Sequence, residues 1–115
     1  MAVINDSNGV IAWAIIDQVD NNVRDHYNVS SLTDNGSGKQ RINLSSAASN
    51  NSYAILGTAT SASAGENYNN RGQLITCYYD AATSTSSQAP FGTEYASNNG
   101  QGDVSHISIV LIGET

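Results

Sequence analysis

A single cysteine, four basic residues and the lack of any long apolar run remove several classes of protein before a motif is read. Cys77 has no second cysteine to join, so an intrachain disulfide is excluded and no metal-ligand spacing exists. Inside an apolar run such a residue is ordinarily a small buried hydrophobe. The sequence places no general base beside it that would make it a nucleophile. Four Lys and Arg against ten Asp and Glu leave a net charge of −6. That balance excludes nucleic acid, whose phosphates need several clustered cations, and an anionic membrane surface. Insertion into a bilayer is excluded as well, since a span takes about 20 apolar residues. The opening residues carry no basic region, and Asn5, Asp6, Ser7 and Asn8 interrupt any apolar core there. The expectation is a soluble chain made in a cytoplasm without a signal peptide.

Charged residues are 12% of the chain, against about 25% in typical soluble domains. Asn, Ser, Thr and Gly take their place and give a polar, weakly charged surface, a composition common in extracellular and virion proteins. A chain of 115 residues buries enough surface to fold as one domain without staples.

What the sequence does have is a series of short apolar runs separated by turn residues, the pattern of an all-β fold. The runs predict strands over 10–17, 27–33, 40–44, 53–60, 73–79 and 104–112. Alternation in 40–44 sets Ile42 and Leu44 on one face and Arg41 and Asn43 on the other. The runs 10–16 and 107–112 are apolar on both faces, which suits central strands or a surface covered by another subunit. The expected fold is an antiparallel β-sandwich, jelly-roll or immunoglobulin-like, with an N-terminal extension 1–9 and one domain over 10–115. Trp13, Ile15, Ile107, Ile109 and Leu111 are the expected core or intersubunit residues. Two long connections, 61–72 and 80–102, are expected to be ordered contact loops, because they carry aromatics that linkers lack. Their candidate surface-contact residues are Tyr68, Asn69, Arg71, Phe91 and Tyr95.

No motif carries catalytic chemistry. Gly36-Ser37-Gly38-Lys39 has the look of a phosphate-binding loop, yet Thr33 stands where the first Gly is required and Gln40 where Ser or Thr would hold magnesium. The following residues alternate as a strand, and Asp34-Asn35-Gly36 reads as a hairpin turn, since Asn and Gly tolerate positive φ. His26 and His106 each lie near an Asp, but neither has a second ligand or nucleophile at a usable spacing. No catalytic, cofactor or metal site is expected.

The stretch YNVSSLTDNGSG (27–38), followed by INL and SYAILGTATS, resembles a domain found in the tail fibres of bacteriophages, notably phages of cyanobacteria and marine bacteria. Tyr53, Gly57, Thr58 and Ala59 match the later part of the pattern, and Ala12-Trp13 is similar to the Ala-Trp that opens the family domain. The resemblance covers about half the chain, 10–61. Where the family has Asp-Tyr-Thr after the turn, this chain has Lys39-Gln40-Arg41. The resemblance implies a trimeric virion protein without enzymatic activity that acts through its surface. About nine residues precede the resembling segment, so a separately encoded knob is expected. Its expected partners are its own copies in a homotrimer and the major capsid protein, which it would decorate and cement. The second expectation is a tail-fibre tip that binds a host-surface receptor or glycan.

Overall fold

Alternation with a period of two runs through the chain, and in the computed structural model it resolves into two layers. The structure describes residues 9–60, 73–76, 84–95 and 103–115, with the backbone alone at 60, 73–76, 94 and 95. Eight strands appear: β1 (Gly9–Asp17), β2 (Asn22–Tyr27), β3 (Val29–Asp34), β4 (Lys39–Leu44), β5 (Ala54–Thr60), β6 (Gln73–Thr76), β7 (Gln88–Tyr95) and β8 (His106–Gly113). They form two four-stranded sheets with the orders β2-β1-β8-β5 and β3-β4-β7-β6, and every pairing is antiparallel. The expected antiparallel β-sandwich is there. Its strand order differs from the ABED and CFG sheets of an immunoglobulin domain.

The two runs that are apolar on both faces become the central strands of the first sheet. Ala12, Ala14 and Ile16 of β1 lie opposite Leu111, Ile109 and Ile107 of β8, and all six are buried. The second sheet supplies Val29, Ile42, Leu44, Ala89 and Phe91 to the same core. In β4, Ile42 and Leu44 face inward, with Arg41 and Asn43 half-buried on the other side.

The hairpin turn between β3 and β4 forms as its sequence predicts. Asn35 N–H donates to the Lys39 carbonyl and Lys39 N–H to the Gly36 carbonyl, both at 2.9 Å. Gly36 (φ 122°) and Gly38 (φ 69°) occupy backbone regions where a side chain would be strained. Asp34 Oδ1 accepts the Gly36 N–H at 3.0 Å.

Three expectations are corrected. The strand predicted over 27–33 is broken at Asn28, whose φ of 56° carries the chain out of the first sheet and into the second. The loop predicted over 80–102 contains β7, and Phe91, expected at a contact surface, is fully buried. Pro90 and Gly92 flank Phe91, and the ladder accommodates both. The bonds Thr93 N–H to Gly38 O and Leu44 N–H to Ser87 O, both 2.9 Å, place the hydrogen-bonded rungs on the even positions of β4. Pro90, opposite Arg41, therefore turns its nitrogen away from β4. Its missing N–H therefore deprives β4 of no partner. Finally, Gly9, assigned to the N-terminal extension, already pairs with Gly113 in the sheet.

One end of the sandwich is tied by polar side chains. Gln18 N–H donates to the Val104 carbonyl at 3.0 Å, and Gln18 Oε1 accepts from Val104 N–H (2.9 Å) and Thr93 Oγ1 (3.0 Å). Beside it Asp17 accepts the Val19 and Asp20 N–H groups and pairs with Arg24 at 2.6 Å. Burial works to raise the Asp17 carboxyl, but the Arg24 hydrogen bond and charge, with the two backbone donors, outweigh it and hold its pKa below the ordinary value.

Two predictions follow from this packing. Phe91→Ala should destabilise the fold by about 3–5 kcal/mol, read as a lower urea midpoint; an unchanged midpoint would place Phe91 outside the core. The depressed Asp17 pKa contributes stability that is fully present above the unfolded value of about 3.9 and is lost as pH falls through the folded value. The urea midpoint of Asp17→Asn should accordingly change less between about pH 6 and pH 3 than that of the natural chain. Parallel pH profiles would show that the Asp17–Arg24 pair carries no such linkage.

Candidate functional site

The antiparallel pairing that buries one side of the first sheet also decides what its other side displays. Opposite residues in neighbouring strands lie on one face. The register therefore aligns Tyr27, Trp13, Val110 and Leu56 in a row across all four strands. A second outward row holds Asp25, Ile15, Ser108 and Thr58, and a third Val10, Ile112 and Ala54. The outer face of such a sheet is ordinarily polar, but here Asp25 is the only charged residue in these rows.

This face is open. Tyr27 is 53% exposed and Leu56 51%, while Trp13, Ile15 and Val110 are half-buried among their neighbours. Trp13, Ile15, Leu56, Thr58, Ser108 and Val110 line most of a shallow hollow of about 530 Å³ at its centre. Four strands about 4.8 Å apart, each contributing about eight residues at about 3.3 Å, give the face an area on the order of 500 Å². An exposed apolar patch of a few hundred Å² or more marks a contact surface. Buried against an equal area of another molecule, such a face would just reach the roughly 1,000 Å² of a specific interface. Trp and Tyr are the residue types that most often carry such contacts.

The residues expected at function fall into three groups. Ile107, Ile109 and Leu111 are core residues of the protomer, whereas Trp13 and Ile15 lie on the outer face. Tyr68, Asn69 and Arg71 lie outside the described residues, as does Cys77. Tyr95 ends β7 opposite Gln73 in a strand, and its side chain is outside the description. Leu56, Val110 and Tyr27 were missed as members of the site. The signal for Leu56 was present in the alternation of 53–60, which turns Ile55 and Ala59 inward and Leu56 and Thr58 outward.

The histidines are not brought together for catalysis. His26 lies on the exposed strand β2, and His106 starts β8 with β1 between them. His106 Nε2 is 3.5 Å from Ser108 Oγ, a separation at the limit of a hydrogen bond. Among the described residues no three His, Cys, Asp or Glu side chains cluster as metal ligands.

The Gly36–Lys39 segment is a hairpin turn with β4 following it, so the helix that a phosphate-binding loop requires is replaced by a strand. The outer face of the second sheet differs in kind from that of the first: it is polar and carries Lys39 and Arg41. The arrangement offers one apolar and one polar face for binding. Comparison of the chain with protein-family profiles, curated proteins and solved structures finds no match in any of the three.

Proposed function

We propose that the chain is a non-enzymatic surface module of a bacteriophage particle, which assembles as a homotrimer through the outer face of its first sheet and decorates and cements the capsid. The observation that carries the assembly is the uninterrupted row Tyr27–Trp13–Val110–Leu56. Leaving that row in water is unfavourable at about 25 cal/mol per Å² of apolar surface, and a second copy is a partner always present at the chain's own concentration. Leu56 on the edge strand and Trp13 in the middle of the face suit a head-to-tail contact, in which the edge of one protomer meets the face of the next. Such a contact closes after three copies when the rotation is 120°. The virion setting is supported by the hairpin resemblance over 27–38. On a capsid, a trimer would present each weak contact three times, so that binding strengthens through effective concentration.

Light scattering tests the assembly. The natural chain should have three times the mass of the 12.1 kDa protomer at micromolar concentration, and Leu56→Asp or Val110→Asp should return it to one protomer with its fold intact. The sole tryptophan, Trp13, should shift its emission to the blue as assembly proceeds. A natural chain that remains a monomer would remove the proposal's basis. Antibody labelling of phage particles tests the location: label over the shell supports capsid decoration, and label at tail tips would replace it with the receptor-binding reading.

A further inference from the structure

The outer face of the second sheet carries a locked row of polar side chains. Asn43 Nδ2 donates to Ser31 Oγ and Thr33 Oγ1, both at 2.9 Å. Gln88 Nε2 donates to Asn43 Oδ1 at 2.8 Å, and Arg41 Nη1 donates to Gln88 Oε1 at 3.1 Å. The chain of bonds therefore crosses β3, β4 and β7 without a break. Each side chain is held by its neighbour, so the ordering of these groups is complete before any ligand arrives.

The charge in this row is that of Arg41. Arg41 is bonded to the Gln88 amide and to no carboxylate among the described residues. Lys39 lies on the same side of β4 two residues earlier. A planar guanidinium in this setting keeps N–H donors in the fork that matches a carboxylate. Around it stand amides and hydroxyls that can both donate and accept.

We propose that this face binds a carboxylate-bearing saccharide, a glycan of uronic-acid type, with Arg41 clamping the carboxylate and Ser31, Thr33, Asn43 and Gln88 meeting ring hydroxyls. The composition of the row selects this ligand class. One guanidinium among four neutral hydrogen-bonding side chains fits a molecule with one acid group per ring and several hydroxyls. A nucleic acid demands a denser array of cations, and an acidic peptide offers no run of hydroxyls to the neutral groups. The site lies on the sheet opposite the assembly face, so it goes beyond the proposed cementing role and can be tested independently of it.

The test is calorimetric titration of the full-length chain with trigalacturonate, its methyl ester and tetraglutamate. Trigalacturonate should bind at millimolar concentration or below and weaken with added salt. The methyl ester and tetraglutamate should each bind at least about tenfold more weakly, the loss expected when a charge-assisted hydrogen bond is removed or its neutral partners go unused. Arg41→Gln should weaken trigalacturonate binding by a similar factor while the thermal midpoint and oligomeric mass stay unchanged. No binding of trigalacturonate at millimolar concentration would overturn the proposal. So would equal binding of the methyl ester or of tetraglutamate, comparisons made on the natural chain that need no variant to fold.

Discussion

The sandwich depends on the left-handed backbone of Asn28. One residue with φ 56° ends β2 and starts β3 in the other sheet, a conformation that asparagine tolerates better than most residues with a side chain. The side chain then fixes the crossing. Asn28 Nδ2 donates to the carbonyls of Ile11 (2.9 Å) and Ser46 (3.0 Å), and Oδ1 accepts the Ser46 N–H at 2.7 Å. Ile11 is the residue passed over where the β1–β8 register shifts between Val10 and Ala12, and a bulged residue of this kind is left outside the regular ladder. The same amide therefore satisfies the bulge in the first sheet and anchors the connection that follows β4 in the second.

Because the crossing takes a single residue, the edge strands β2 and β3 lie on one side of the molecule and β1 and β8 are left as the middle of their sheet. A middle strand with apolar residues on both sides must show one of them to the exterior unless something covers it. That produces the row containing Trp13 and Leu56. In the second sheet the corresponding middle strand, β4, has the sequence Lys-Gln-Arg-Ile-Asn-Leu, and its outward positions are charged or amide. The difference between the two exteriors is thus a difference between two central strands, set by alternate residues in each.

Much of this was readable from the sequence. The turn chemistry of Asp34-Asn35-Gly36 located the hairpin, and alternation in β4 separated Ile42 from Arg41. The apolar character of both sides of β1 and β8 was also plain, but not which side faced the core, because Trp13 and Ile15 are as apolar as Ile11 and Ile16. Strand pairing decides that question, and pairing is not local. Phe91 was misread for a related reason: Pro90 and Gly92 beside it are breakers in isolation, and only the parity of the β4–β7 ladder shows why they are tolerated. Gln18, whose one amide oxygen joins β7 to the start of β8, gives no sequence signal, since its partners lie 75 and 86 positions away. The polar row failed the same way, with Asn43 and Gln88 brought together from distant strands.

The pairing of β1 with β8 sets a schedule for biosynthesis. The two strands are separated by about ninety residues, which a ribosome takes roughly 5 to 20 seconds to add. Throughout that interval β1 has only β2 to pair with and carries sticky side chains on both faces. β2 supplies Arg24, Asp25 and His26, all exposed, along the free edge of this early hairpin. Charges at that position discourage pairing with another nascent chain. In the finished protein they look like ordinary surface residues; during synthesis they guard the strand on which both the core and the outer face are later built.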